Sequence, residues 1–159
     1  MKNVKSEEFE NEFALTIELV PKTSWYTNVR SHVSPEEWDI IRKKSYTFAD
    51  NKCEICGDNG TNQGVRHRVE CHEIWHYDDE KKKQTLKGMI SLCPNCHKTK
   101  HVGLAQLRGE EDIVVRQLMK VNNMTEDEAY DYIDRSAQKW IERSQYDWEL
   151  DISILNEYK

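Results

Sequence analysis

Leu92-Cys93-Pro94-Asn95-Cys96-His97-Lys98-Thr99-Lys100-His101 is the stretch on which the fold turns. Cys93 and Cys96 form a C-x-x-C knuckle, and a second knuckle, Cys53-Glu54-Ile55-Cys56, is separated from it by 36 residues. Each knuckle sets two thiolates at the spacing of neighbouring ligands, and two knuckles complete a tetrahedral S₄ shell that suits Zn²⁺. Such a shell leaves no position open to substrate. Cys53, Cys56, Cys93 and Cys96 are therefore expected to hold a structural zinc that stands in for a thin apolar core.

His97 follows the second knuckle directly, and His101 comes one helical turn later. A short helix leaving the knuckle puts both imidazoles on one face, where they can chelate one ion. About 25 residues upstream lies Glu70-Cys71-His72-Glu73-Ile74-Trp75. Neighbours on an extended segment point to opposite faces, so Cys71 is expected in the core if His72 faces a site.

Read together, E-x-H-E-I … L-C-x-x-C-H-x-x-x-H over residues 51–103 resembles the HNH nuclease pattern, in which a β-hairpin and a helix, the ββα-metal fold, cradle one divalent ion. The offsets of Leu92-Cys93, Cys96-His97 and His101 match the cysteine-bearing branch of that family. The flanks, with Trp25-Tyr26-Thr27-Asn28-Val29-Arg30 and two late helices, are similar to small bacterial and phage proteins labelled HNH endonucleases, which carry H-E-x-W where most relatives have H-H.

The resemblance implies a metal-dependent endonuclease hydrolysing phosphodiester bonds in DNA. It makes His72 the first metal ligand and His97 and His101 the helix-borne ligands of a second, catalytic divalent ion. Three neutral imidazoles favour Zn²⁺, Ni²⁺, Co²⁺ or Mn²⁺ over Mg²⁺. Two positions depart from the pattern: Glu73 stands where a general-base His is usual, and Gly88 where a hairpin Asn orients that base. Glu73 can take over as base or become a fourth ligand, and His76 is a second candidate base. Lys98, Lys100 and Arg108, with Arg66 and Arg68 on an opposing strand, are candidate phosphate contacts. Trp75 is read as packing rather than base stacking. Two other readings compete: an HNH-fold protein that binds nucleic acid or a small nucleotide signal without cutting it, and a zinc-stapled module whose acidic C-terminal helices contact a protein.

Outside this module, Phe13, Leu15, Ile17 and Leu19 alternate up to Pro21, the pattern of a strand buried on one face. Ser34-Pro35-Glu36-Glu37 opens a helix running to about Ala49, with an N-cap, Pro at the first helical position and a capping-box Glu. Residues 51–108 turn to loops and short strands, with Lys81-Lys82-Lys83 at a polar hairpin tip. Two amphipathic helices are predicted over 112–122 and 126–143, the latter opened by Thr125 and Glu128. Trp148, Leu150, Ile152 and Ile154 alternate as a last strand, expected to pair with the N-terminal one. The predicted class is α+β: one domain over 1–159, with the zinc-stapled module at 51–103 and the flanks 1–50 and 104–159 packed on it.

At 159 residues the chain has the size of one domain. Five cysteines, four of them in knuckles, suit a metal site in a reducing compartment, and no apolar stretch approaches the roughly 18 to 20 residues that span a bilayer. With no apolar leader after Met1, a cytoplasmic protein is expected. The net charge of −6 is uneven: residues 1–50 carry 7 basic and 9 acidic side chains, 51–108 carry 10 and 7, and 109–159 carry 6 and 13. The acidity is C-terminal, so the central module can still meet a phosphate, but with weak non-specific affinity for DNA.

Overall fold

The computed structural model describes residues 13–24 and 27–158. The segment after Met1, whose sequence holds no apolar leader, and Trp25-Tyr26 lie outside them. Strand β1 (Glu70–Asp78) and strand β2 (Lys83–Leu92) form an antiparallel hairpin in register from Glu70↔Leu92 to Asp78↔Lys83, with a bulge between Ile74 and Trp75. Its tip falls at residues 79–82, and Arg143, a buried residue, reaches it. Arg143 Nε and Nη2 donate to Asp79 Oδ1 and Oδ2 at 2.9 and 3.0 Å.

Helix α1 (Pro35–Phe48) precedes the hairpin, and helices α2 (Pro94–Lys100) and α3 (Val102–Leu107) follow it directly. Helices α4 (Glu111–Asn122) and α5 (Glu126–Arg143) come next. Both capping boxes form as the sequence predicts. Glu37 N donates to Ser34 Oγ while Glu37 Oε2 accepts from Ser34 N, and Thr125 and Glu128 make the same exchange.

The hairpin separates two apolar clusters because side chains alternate across a strand. On one face, Ile74, Ile90 and Leu92 meet Val114 and Leu118 of α4, Ala129 and Tyr132 of α5, and Leu15 and Ile17. On the other, Trp75, Tyr77, Leu86 and Met89 meet Ile41 of α1, Val29 and Leu155, with Cys71 packed against them. Trp75 is thus core, and Cys71 and His72 point to opposite faces of β1. Burial in this cluster pushes the Cys71 thiol up to about 12, which keeps it protonated and inert.

Two expectations of strand pairing are corrected. Residues 13–20 form no strand, although Leu15 and Ile17 are fully buried as their alternation implies. Side chains supply the hydrogen bonds that a neighbouring strand would: the Asn122 amide accepts from Leu15 N and donates to Leu15 O, both at 2.8 Å, and Tyr132 Oη accepts from Ile17 N at 2.8 Å. The last strand, β3 (Glu149–Asp151), pairs with β2 instead, parallel over Lys83–Thr85. Arg66 and Arg68 also fall in a loop before β1 rather than on a strand.

Asn122→Ala leaves the backbone N–H and C=O of a fully buried residue without partners. The expected cost is about 3 kcal/mol, read as a lower urea midpoint with an unchanged m-value.

Candidate metal centres

Loop 51–58 and the start of α2 bring Cys53, Cys56, Cys93 and Cys96 together, with their sulfurs all within 4.8 Å of one another. Cys93 is the N-cap of α2 and Pro94 its first residue, so the knuckle is also the helix start. Backbone amides aim at the sulfurs, Cys96 N to Cys93 Sγ at 3.4 Å and Cys56 N to Cys53 Sγ at 3.5 Å. Buried Gln117 of α4 donates Nε2 to Cys96 Sγ at 3.2 Å. Cys56 Sγ and Cys93 Sγ are 3.6 Å apart; a tetrahedron with metal–sulfur bonds of about 2.3 Å has an edge of about 3.8 Å. Contacts with the other sulfurs hold the Cys53 thiol far below its usual range and push Cys96 far above it. The sulfurs thus favour ionisation at some positions and oppose it at others, so deprotonation of all four calls for a cation in their midst. The four cysteines can hold a metal ion such as zinc.

A second cluster lies where the start of β1 meets α2. His72, His97 and His101 offer one nitrogen each, all within 4.8 Å of one another. Their ring centroids form a near-equilateral triangle of 5.2, 5.1 and 4.8 Å sides. The four-residue spacing on α2 turns His97 and His101 to one side, and their Nε2 atoms are 3.2 Å apart; ligands on metal–nitrogen bonds of about 2.1 Å are about 3.4 Å apart in a tetrahedron. His72 is buried, and its Nδ1 has no hydrogen-bond partner among the described residues. A buried, unpaired ring nitrogen beside two other imidazoles fits a missing ligand bond.

The electrostatics favour the neutral, ligating form. Burial, and then the facing His101 and His97, hold His72 well below the usual histidine range. His101 is exposed as a residue, but desolvation of its ring among the neighbouring side chains, and then the facing His97, lower it to about 4. Both rings are therefore uncharged at neutral pH.

The residue that sequence reasoning overlooked is Glu70. Its Oε2 accepts from His97 Nδ1 at 2.5 Å, and its Oε1 pairs with His67 Nε2 at 2.8 Å. The hydrogen bond from His97 holds the Glu70 carboxyl below its usual range. A proton on Nδ1 leaves His97 Nε2 with its lone pair free toward His101, the arrangement by which carboxylates orient metal-binding histidines. The signal was present: Glu70 is two residues before His72 on a strand and so shares its face. Glu70→Gln is expected to weaken metal binding at the histidines by about 10- to 100-fold, measured by titrating the protein with Co²⁺ or Zn²⁺ after the cysteine cluster is filled.

The other candidates separate by position. Glu73 lies across β1 from the histidines, and its Oε1 accepts from Val29 N at 3.0 Å. In this structure its carboxylate is thus engaged by the Val29 backbone rather than by the three imidazoles. A Cβ at Gly88 would meet Tyr158 Oη at 3.5 Å, an ordinary contact, so packing does not demand glycine there. His97, His101, Lys98 and Arg108 line one cleft of about 230 Å³ together with Glu70 and Glu110. Lys98 Nζ is already 2.6 Å from Glu110 Oε2. Lys100 is corrected as a phosphate contact: it is buried, and its Nζ donates to Thr16 Oγ1 at 2.8 Å and Glu18 Oε2 at 3.0 Å. Arg66 and Arg68 are exposed and do not line the cleft.

Family models, curated proteins and solved structures contain no match for this chain. No helix among the described residues is long and apolar enough to cross a membrane.

Proposed function

We propose that this chain is a metal-dependent phosphodiesterase of the HNH type that cuts DNA in the cytoplasm, with residues 51–103 as a ββα-metal module. The observation that carries the reading is the convergence of His72, His97 and His101, with an unpaired buried nitrogen on His72; His97 and His101 also line a cleft.

The division of labour follows from the surroundings of each group. The cysteine cluster ties the loop at Cys53 and Cys56 to the N-terminus of α2, which sets the helix that carries His97 and His101 against β1. Glu70 fixes the tautomer and direction of His97. Burial keeps His72 neutral. A divalent ion held by these three imidazoles (Zn²⁺, Ni²⁺, Mn²⁺ or Mg²⁺) supplies Lewis-acid stabilisation of charge on a phosphodiester. Arg108 and Lys98 line the same cleft and position the phosphate.

One observation favours a second reading, binding of nucleic acid or a nucleotide without hydrolysis. The carboxylate at the usual base position, Glu73, is engaged with Val29 N on the far side of β1. The two readings separate when metal-loaded protein is incubated with supercoiled plasmid and with oligonucleotides, adding Mn²⁺, Ni²⁺, Zn²⁺ or Mg²⁺ in turn. Nicking that depends on the added ion supports hydrolysis. Protein that retains both metals and binds the oligonucleotides but cuts nothing supports binding alone.

A further inference from the structure

The cleft beside His97 and His101 has features that phosphate chemistry alone leaves unused. Buried Pro94 and Ala105 form part of its wall, together with Leu104, which is 47 % exposed on α3. Leu107, one turn further along α3, is 86 % exposed and extends this apolar surface. The volume of about 230 Å³ is below the roughly 300 to 1,000 Å³ of pockets for drug-sized ligands. Its size is on the scale of a single planar base.

Charge narrows the ligand further. Of the two cations in the cleft, Lys98 is paired with Glu110, and Arg108 is exposed with no ion pair among the described residues. A protein held on duplex DNA by its backbone relies on several such contacts, and one that makes roughly 6 to 10 of them loses about 10³- to 10⁵-fold in affinity between 50 and 200 mM salt. With Glu70 turned to His97 and Glu110 to Lys98, Arg108 is the one cation of the cleft outside an ion pair among the described residues, and beside an apolar wall it matches one phosphate and one base instead. The face of a base is accessible only where the nucleotide is unpaired.

We propose that this cleft seats one unpaired nucleotide of a single-stranded polynucleotide, its base against Leu104 and its phosphate at Arg108, next to His97 and His101. The identity of the ligand rests on the phosphodiesterase reading, which the proposal narrows to single strands and unpaired loops or ends.

The test is fluorescence anisotropy with zinc-loaded full-length protein, a labelled short DNA single strand and the duplex of the same sequence, over about 50 to 200 mM salt. The single strand is expected to bind at least about tenfold more tightly than the duplex. Its log–log salt slope should be about −1, since single strands give roughly −0.7 per phosphate contact. Leu104→Glu should weaken the single strand about tenfold and leave the duplex unchanged, and Leu104→Phe, which offers a stacking face, should tighten the single strand. Leu104 is half exposed, so both variants should keep the metal content and melting temperature of the parent. Equal affinity for single strand and duplex, a slope steeper than about −4, or indifference to both substitutions overturns the proposal. Protein that shows the single-strand pattern but never cuts loses the hydrolytic reading and keeps the cleft. Protein that cuts duplex without preferring single strands does the reverse.

Discussion

A Cys96→Ser protein is expected to lose a bound metal and its cooperative unfolding transition together. Cys96 is fully buried, and Gln117 Nε2 and the three other sulfurs converge on it. The cluster closes a loop whose own apolar content is small: among residues 51–58 only Cys53 is a buried hydrophobic, with Ile55 and Cys56 partly buried against the same core. Structural zinc contributes on the order of 10 kcal/mol or more to folding in small zinc modules, comparable with the roughly 5–15 kcal/mol of net stability of a domain. A serine hydroxyl is a poor ligand for Zn²⁺, so most of that contribution disappears. Metal content by elemental analysis, with melting followed by circular dichroism, reads both quantities on one sample. Cooperative melting within a few degrees of the parent and an unchanged metal count would show that the cysteines merely pack.

His97→Ala is expected to give the opposite combination: an intact fold, one metal ion fewer, and no cutting. The His97 side chain is 25 % exposed and its described hydrogen bonds go to Glu70 and His101, so its removal deletes ligation without opening a cavity in either apolar cluster. Stability should change by no more than about 1 kcal/mol, as for substitutions away from buried networks. Plasmid nicking should fall at least about 100-fold, the scale on which removing one electrostatic contributor lowers catalysis. Taken together, the two substitutions assign one cluster to folding and the other to chemistry. A His97→Ala protein that still cuts with the parent's metal dependence would falsify the assignment of the histidines to the reaction.

Spacing made both clusters legible in the sequence, because a C-x-x-C knuckle and a one-turn His pair translate directly into short distances. The two capping boxes, at Ser34 and Thr125, fixed helix starts to within a residue for the same local reason. What escaped was the chemical nature of a partner distant in sequence. The alternation of Leu15 and Ile17 correctly implied a buried face, but it cannot distinguish a neighbouring strand from the side chains of Asn122 and Tyr132, more than 100 residues away. Lys100 could not be told from a phosphate contact, since nothing local announces that Glu18 and Thr16 fold over it. Nor does anything local announce that the Val29 backbone N–H reaches the Glu73 carboxylate from 44 residues away.

The bulge between Ile74 and Trp75 bears on how the molecule reaches its native state. A slip of β1 by one residue would present Glu73 to α2 and turn His72 to the opposite face, toward Leu86, Met89 and Ile41. The bulge marks one alignment of the hairpin, and only that alignment brings a third imidazole to His97 and His101. An ion captured by all three rings thus rewards the correct hairpin and no other. Refolding with metal present should therefore deplete out-of-register chains, making the histidine cluster a checkpoint of strand alignment before any substrate arrives.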